Sequence, residues 1–344
     1  MSTLPSEFGR IGGKYRAKEY ISMGSFGTVY LGQNILNRSD VAIKVEPCDT
    51  DHPQLAYERS LYRILGSGPG IPNIFWYGSD QGYNFMVMDA LGSSLEALFD
   101  ACGRQFTLKT VLLLADQLIT RLEYIHSHDL VHGDIKPANI LMGIGRRADI
   151  AYIVDYGLAK RYIRDGVHIK YKVTDGFMGT ARFASLNVHS GIQSTRRDDL
   201  ESLAYVLIYF LRGSLPWEDI TERTNEEELA LLTCKTETSI QDLCAGLPNE
   251  FSEFLSYARS LQYSECPDYT YIHHLFSTLR IQLGHTQRVF DWTIPDATPP
   301  MHDEQPHYVV ASKRRARKTF SMEQGYATIF HIRKTIGLIV VRSF

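Results

Sequence analysis

The run His132-Gly133-Asp134-Ile135-Lys136-Pro137-Ala138-Asn139, followed by Asp155-Tyr156-Gly157, constrains this chain more than any other stretch. Two residues apart on an extended loop, Asp134 and Lys136 point the same way. Asp134 is suited to orient a hydroxyl and accept its proton. Lys136 is suited to neutralise charge on a phosphate. Asn139 and Asp155 offer the hard oxygen ligands that magnesium takes. Drawing these groups to one point costs charge repulsion, which is tolerable only with a metal and a polyphosphate among them. The fold must therefore deliver two loops to one cleft, and the chemistry indicated is phosphoryl transfer from a magnesium nucleotide.

Upstream residues extend the pattern. In Tyr20-Ile21-Ser22-Met23-Gly24-Ser25-Phe26-Gly27-Thr28-Val29-Tyr30, β-prone arms flank a glycine-containing turn. Gly24 and Gly27 let backbone amides approach phosphate oxygens without an intervening Cβ. By itself this stretch reads equally well as a plain hairpin. Val41-Ala42-Ile43-Lys44 ends a strand in a lysine. Residues 51–65 read as a helix with Leu55, Tyr57, Leu61, Ile64 and Leu65 near one face. That helix carries Glu58, a candidate ion-pair partner that would aim Lys44 at α- and β-phosphates. A surface-facing glutamate is the competing reading.

Together these segments resemble the catalytic loop, magnesium loop and glycine-rich loop of protein kinases. The resemblance is closest to the casein kinase 1 family, with features of its vaccinia-related relatives. His52-Pro53-Gln54-Leu55 with Tyr57-Glu58, Leu91-Gly92 before Ser94-Leu95-Glu96, and residues 179–185 and 196–203 carry it. So do Ser185-Leu186-Asn187, Pro267-Asp268-Tyr269 and Val289-Phe290-Asp291-Trp292. His132-Gly133-Asp134, Asp155-Tyr156-Gly157 and Gly166-Val167-His168 look more like the vaccinia-related branch.

The resemblance implies an α+β, bilobal protein-kinase-like fold: a small β-rich lobe with one main helix, and a larger, mostly α-helical lobe. It implies a non-specific Ser/Thr protein kinase acting on protein hydroxyls with ATP and Mg2+. Asp134 would be the catalytic base, Lys136 the phosphate-neutralising lysine, Asn139 and Asp155 the metal ligands. Thr180 would tie Asp134 to Lys136. Asp199 would accept hydrogen bonds from the catalytic-loop backbone, because a buried carboxylate needs donors. Ile21, Gly24, Ser25, Gly27, Val29, Ala42, Lys44 and Glu58 would surround the nucleotide, with Met88 behind it and Leu141 below. The backbone from Asp89 to Leu91 would bind the adenine edge.

Departures from the family pattern bear on regulation and substrates. The usual first glycine of the phosphate loop is Ser22. Gly133 stands where many kinases carry an arginine that an activation-loop phosphate must neutralise, which predicts basal activity without that phosphate. Lys160 and Arg182 match the cations that select acidic or phosphorylated substrates in this family. Asp175 and Glu228 stand where two others are usual, and Lys170 or Lys172 are candidate substitutes. Residues 225–228 are outright acidic, so a strong preference for phosphorylated substrates is not expected.

The 344 residues divide into a loose, flexible N-terminal arm (1–13), a kinase domain (14–292) and a tail (293–344). Within the domain, the small lobe spans about 14–88, the connector 89–93 and the large lobe 94–292. The tail opens with a proline-containing linker, then the basic cluster Lys313–Lys318 and the apolar run Ile336–Val341. The basic cluster reads equally well as an import signal or a solvated tail. A net charge of −3 gives no push toward nucleic acid or anionic membrane. Five scattered cysteines without zinc-ligand spacing suit a reducing compartment, hence cytoplasm or nucleus. No apolar run approaches membrane-spanning length. Partners expected are protein substrates with Ser or Thr, acidic ones included, and the chain is read as a monomer. A pseudokinase scaffold that binds partners without transfer is the alternative. A dinucleotide oxidoreductase fails, because no G-x-G-x-x-G links a strand to a helix.

Overall fold

The computed structural model describes residues 8–24, 27–51, 53–174, 178–220, 224–285 and 287–293. Ser25, His52, Asp175, the first seven residues of the arm and the tail beyond Thr293 lie outside them. The first lobe is a five-stranded antiparallel sheet ordered β1-β2-β3-β5-β4, built from β1 (Tyr15–Gly24), β2 (Gly27–Asn34), β3 (Asp40–Pro47), β4 (Ile74–Asp80) and β5 (Tyr83–Asp89). Helix α1 (Leu55–Leu65) crosses between β3 and β4.

Strand alternation sorts the side chains onto two faces. Register pairs Val29 with Lys44, Leu31 with Ala42, Lys44 with Met86 and Ala42 with Met88, placing them on the cleft side. The opposite face carries Tyr30, Val41, Ile43, Val45, Phe85 and Val87 in a separate core. Phe8 and Ile11, 2% and 0% exposed, close that core from outside. Residues 8–13 are therefore not a loose arm: two large apolar side chains leave water there, which fixes the chain segment bearing them.

Helix α1 corrects one expectation. Leu55, Leu61 and Leu65 are buried, but Tyr57 is 41% exposed and Glu58 is only 1% exposed. Glu58 and Tyr62 take the inward places because Lys44 and Tyr156 lie opposite them. The buried Glu46 carboxylate accepts from Gln54 N and Leu55 N at 2.6 and 3.0 Å, satisfying two amides at the start of α1.

The second lobe is helical. After α2 (Leu95–Ala101) and α3 (Leu108–Ser127) come the short strands β6 (Leu130–Val131), β7 (Ile140–Met142), β8 (Ala151–Ile153) and β9 (Lys160–Arg161). Helices α4 (Leu186–His189), α5 (Arg196–Arg212), α6 (Asn225–Glu237), α7 (Ile240–Leu243), α8 (Asn249–Ser260) and α9 (Tyr269–Gln282) follow. Residues Asp198 to Phe210 of α5 are all buried, the acids Asp198, Asp199 and Glu201 among them. Asp291 accepts from Thr107 N and Oγ1 at the start of α3, and Phe290 stacks on Trp292 at 4.7 Å. The architecture is the expected small β-rich lobe beside a larger helical one.

Candidate active site

The β7–β8 hairpin sets the site. It pairs Ile140 with Ile153, so the segments before and after it are adjacent, although Asn139 and Asp155 are well separated in sequence. Val154 N donates to Asn139 O at 3.0 Å and locks that juxtaposition. Asp155 holds φ +67°, a left-handed backbone uncommon outside glycine, at the point where its carboxylate meets Lys44.

Lys44 lies between two acids, 2.6 Å from Glu58 and 2.9 Å from Asp155. Burial alone would lower its pKa, but Glu58 and Asp155 outweigh that and hold it above its ordinary value. It is an ammonium at neutral pH. Burial tends to raise the Asp155 carboxyl, yet Lys44 more than compensates and keeps it ionised. Burial pulls the Glu58 carboxyl above its ordinary value, against the opposing pull of Lys44. The 2.6 Å contact with a permanently charged Lys44 favours the ion pair. The surface-glutamate reading of Glu58 is thereby excluded.

A second charge cluster lies on the catalytic loop. Lys136 Nζ donates to Asp134 Oδ2 at 2.5 Å and to Thr180 Oγ1 at 2.8 Å. Thr180 therefore meets Lys136, which stands between it and Asp134. Asn139 Nδ2 donates to Asp134 O and Oδ2 at 3.0 and 3.2 Å. Those bonds leave Asp134 Oδ1 and Asn139 Oδ1 without hydrogen-bond partners among the described residues. Asp199 anchors the loop from below, accepting from His132 N at 2.7 Å and Gly133 N at 2.9 Å. A third donor, His126 Nε2 at 2.9 Å, was not legible in the sequence. Burial would raise the Asp199 carboxyl, but the His126 contact and charge bring it below its ordinary value. Gly133 has φ +76°, and a Cβ there would stand 3.2 Å from Leu158 O, so this backbone favours glycine over arginine.

Aromatic packing joins the two clusters. Tyr156 is fully buried, edge-on to both His132 and Tyr62 at 5.0 Å. Tyr57 donates its hydroxyl to Ala159 O at 2.8 Å, a second tie from α1 to the segment after Asp155.

Above the cleft, Gly24 pairs with Gly27 at the end of the β1–β2 hairpin, and Ser22 pairs with Val29. Gly27 has φ +148°, and a Cβ on it would stand 2.5 Å from Val45 O. Ile21 falls at a register shift beside Ser22. Val29, Ala42 and Leu141 are half-buried and Met88 is 8% exposed. The Asp89 carboxylate is held by Asn73 N and Nδ2 on one oxygen and by Arg147 on the other, and the Asp89 N–H donates to Asn73 O. Gly92 N bonds Met142 O, while nothing among the described residues accepts from the Leu91 N–H.

These residues fit a metal-bound nucleotide. Among the described residues no three His, Cys, Asp or Glu side chains converge as a metal cage. Asn139 Oδ1 and the Asp155 carboxylate are the oxygen donors that would hold a cation shared with phosphates. Lys44 supplies a fixed positive charge, and the Leu91 amide an unspent donor at the connector.

The cations expected to face a substrate have unequal surroundings. Arg182 is paired with Glu218 at 3.3 Å, and Glu218 also accepts from Arg104 at 2.8 Å. Lys160 is half-buried, and burial lowers its pKa. Lys170 and Lys172 are exposed, and Glu228 is half-buried in α6. The family model for the protein kinase domain matches residues 15–262, well over half of the chain.

Proposed function

The chain belongs to the protein kinase domain family, and from that premise we propose that it is an active Ser/Thr kinase of casein kinase 1 type. Membership brings with it ATP, a divalent metal and protein substrates. The finer reading concerns which hydroxyls are phosphorylated, with magnesium as the metal, and whether transfer occurs. The observation that carries it is Lys136 Nζ bridging Asp134 Oδ2 and Thr180 Oγ1. A scaffold has no chemical need for a lysine held between a base and a substrate-side hydroxyl.

Each residue then has a task. Lys44, aimed by Glu58, binds the α- and β-phosphates. Asn139 Oδ1 and Asp155 hold the cation. The bound magnesium nucleotide supplies the γ-phosphoryl group and offsets the charge on its oxygens. Asp134 Oδ1 orients a Ser or Thr hydroxyl and accepts its proton, while Oδ2 stays pinned by Lys136 and Asn139. Lys136 offsets charge on the side of the incoming hydroxyl. Val29 and Ala42 above and Leu141 below hold the adenine, and the Leu91 amide binds its edge.

Two features support activity without an activation-loop phosphate. The Lys44–Glu58 pair is formed, and Gly133 leaves no arginine for a phosphate to neutralise. Substrate choice leans away from phosphorylated sites, because Arg182 is engaged by Glu218, which it shares with Arg104, and is not a free cation.

The test is transfer of labelled γ-phosphate from Mg-ATP to casein and to the protein itself. Wild type is run beside Asp134→Asn and Asp155→Asn, with and without phosphatase pretreatment. Transfer lost in both variants and unchanged by phosphatase is the expected result. A folded, nucleotide-binding wild type that transfers nothing to acidic, basic or generic substrates, with or without its tail, points to the scaffold reading. Activity abolished by phosphatase overturns the regulatory part alone.

A further inference from the structure

A lysine outside every motif discussed above reaches the substrate side of the site. Lys235, in the last turn of α6, is 0% exposed. Its Nζ donates to Ala181 O at 2.6 Å and to Ala184 O at 2.7 Å. The same ammonium lies over the rings of Tyr205 and Trp217, 5.0 and 5.1 Å from their centroids. Trp217 Nε1 donates to Arg182 O at 2.8 Å. Three carbonyls of the four-residue stretch after Thr180 are thus tied to α6 and to the loop that bears Trp217.

We propose that Lys235 is a positioning residue for phosphoryl transfer, fixing the 181–184 turn so that Thr180 Oγ1 meets Lys136. The inference rests on the reading of this site as an active kinase. The physical chain is short. Phe183 N and Ala184 N both donate to Thr180 O, at 3.0 and 3.1 Å, so the turn held by Lys235 closes back onto Thr180 itself. Thr180 Oγ1 is in turn one of the acceptors that set Lys136 Nζ beside Asp134. A buried ammonium is costly to desolvate, and its place here is supported by strong charge-assisted bonds and two aromatic faces. A hydrophobic residue of equal length would fill the space but leave two buried carbonyls without their donor. The turn would relax, and the hydroxyl would lose its register with Lys136. The partners of Lys235 among the described residues, Ala181, Ala184, Tyr205 and Trp217, all lie outside the nucleotide cleft, so nucleotide affinity should be indifferent to it.

The test compares wild type with Lys235→Met and with Lys235→Gln, which keeps an N–H donor but shortens its reach and drops the charge. Steady-state kinetics on casein and Mg-ATP are expected to show kcat reduced by about 10- to 100-fold in Lys235→Met, the cost of a small misplacement near reacting groups. Lys235→Gln should fall between, and the Mg-ATP affinity should be unchanged in both. Thr180→Val is then added to each background. In wild type it lowers kcat; in Lys235→Met it should lower kcat far less, because the hydroxyl is already out of place. Equal effects of Thr180→Val in both backgrounds overturn the proposal, as does an unchanged kcat in Lys235→Met. If Lys235→Met fails to fold, Lys235→Gln decides the question by the same two criteria. Amide hydrogen exchange at residues 183 and 184 is measured on the same proteins, and faster exchange confined to that turn is expected. Should wild type transfer no phosphoryl group, the kinase reading falls, and exchange alone then decides whether Lys235 holds the turn: unchanged protection rejects it.

Discussion

At the scale of single residues, the site divides labour between two carboxylates by the company each keeps. Asp134 gives one oxygen to Lys136 and Asn139 and keeps the other open. Asp155 is bound to Lys44 and ionised by it. Replacing Asp134 by Asn preserves size and most hydrogen bonds but removes the proposed proton acceptor. We expect kcat to drop by about 10²–10⁴-fold, the usual range for a general base, with nucleotide affinity unchanged. Single-turnover phosphotransfer beside nucleotide titration checks both halves. Glu58→Gln acts differently. Lys44 keeps Asp155 as partner but loses the acid that aims it from α1. The expected result is weaker Mg-ATP binding together with about 1.5–3 kcal/mol lost from stability, the worth of a charged hydrogen bond. Denaturant midpoints and the Mg-ATP KM measure these; a variant with normal KM would show that Asp155 alone orients the lysine.

At the scale of elements, α5 carries two adjacent buried acids with opposite tendencies. Asp199 is held low by His126 after burial has been overcome. Burial pushes Asp198 up to about 6 from an ordinary 3.8, although it accepts from Ser185 Oγ at 2.6 Å and Thr195 N at 2.7 Å and so completes the capping box of α5. The folded state holds the Asp198 proton more tightly than the unfolded chain does. Between pH 3.8 and about 6 the unfolded chain therefore binds fewer protons at this site, and stability falls as pH rises. The full effect of such a shift is about 3 kcal/mol. Asp198→Asn removes it while keeping the cap oxygen. From pH 5 to pH 7 wild type should lose about 1 kcal/mol relative to the variant, read from paired urea titrations. Parallel pH profiles would show that Asp198 titrates alike in both states. The same elements show what the sequence could and could not disclose. Lys44, Glu58, Asp134, Lys136, Asn139 and Asp155 were legible because their chemistry is carried by short spacings within recognisable strands, loops and a helix. The inward face of α1 was legible at Leu55, Leu61 and Leu65 but not at Tyr57. Apolar periodicity cannot know that a charged partner on β3 will claim Glu58 for the inside. His126 and Lys235 escaped for a related reason: each meets its partners across the fold, 73 residues away for His126 and Asp199, and 54 for Lys235 and Ala181.

At the scale of the whole molecule, two cores do separate work. One runs from α1 and the cleft face of the sheet through α3 and α5, so Leu61, Tyr62, Met86 and Met88 share a continuous apolar body with the helical lobe. The other lies on the far side of the sheet and belongs to the small lobe alone. It is small, and the N-terminal segment completes it. Phe8 packs edge-on against Tyr30, Tyr83 and Phe85 at 5.4–5.5 Å between centroids, while Ile11 is sealed beside Tyr15. Removing the Phe8 ring leaves a cavity that three aromatic neighbours, themselves fixed in strands, are poorly placed to fill. Phe8→Ala should therefore cost about 3–5 kcal/mol, the range for large buried aromatics. That loss should be local, because among the described residues Phe8 packs in the small-lobe core and not in the cross-lobe one. The sheet carries Lys44, Gly24 and Gly27, so its loosening is expected to weaken nucleotide binding while the helical lobe keeps its protection. Hydrogen exchange resolved by segment decides between this and global destabilisation. Faster exchange in β1, β2 and β3 with unchanged α5 and α8 fits a small lobe whose far core is closed by its own N-terminal residues. Uniform acceleration through α5 would mean instead that the two cores unfold as one.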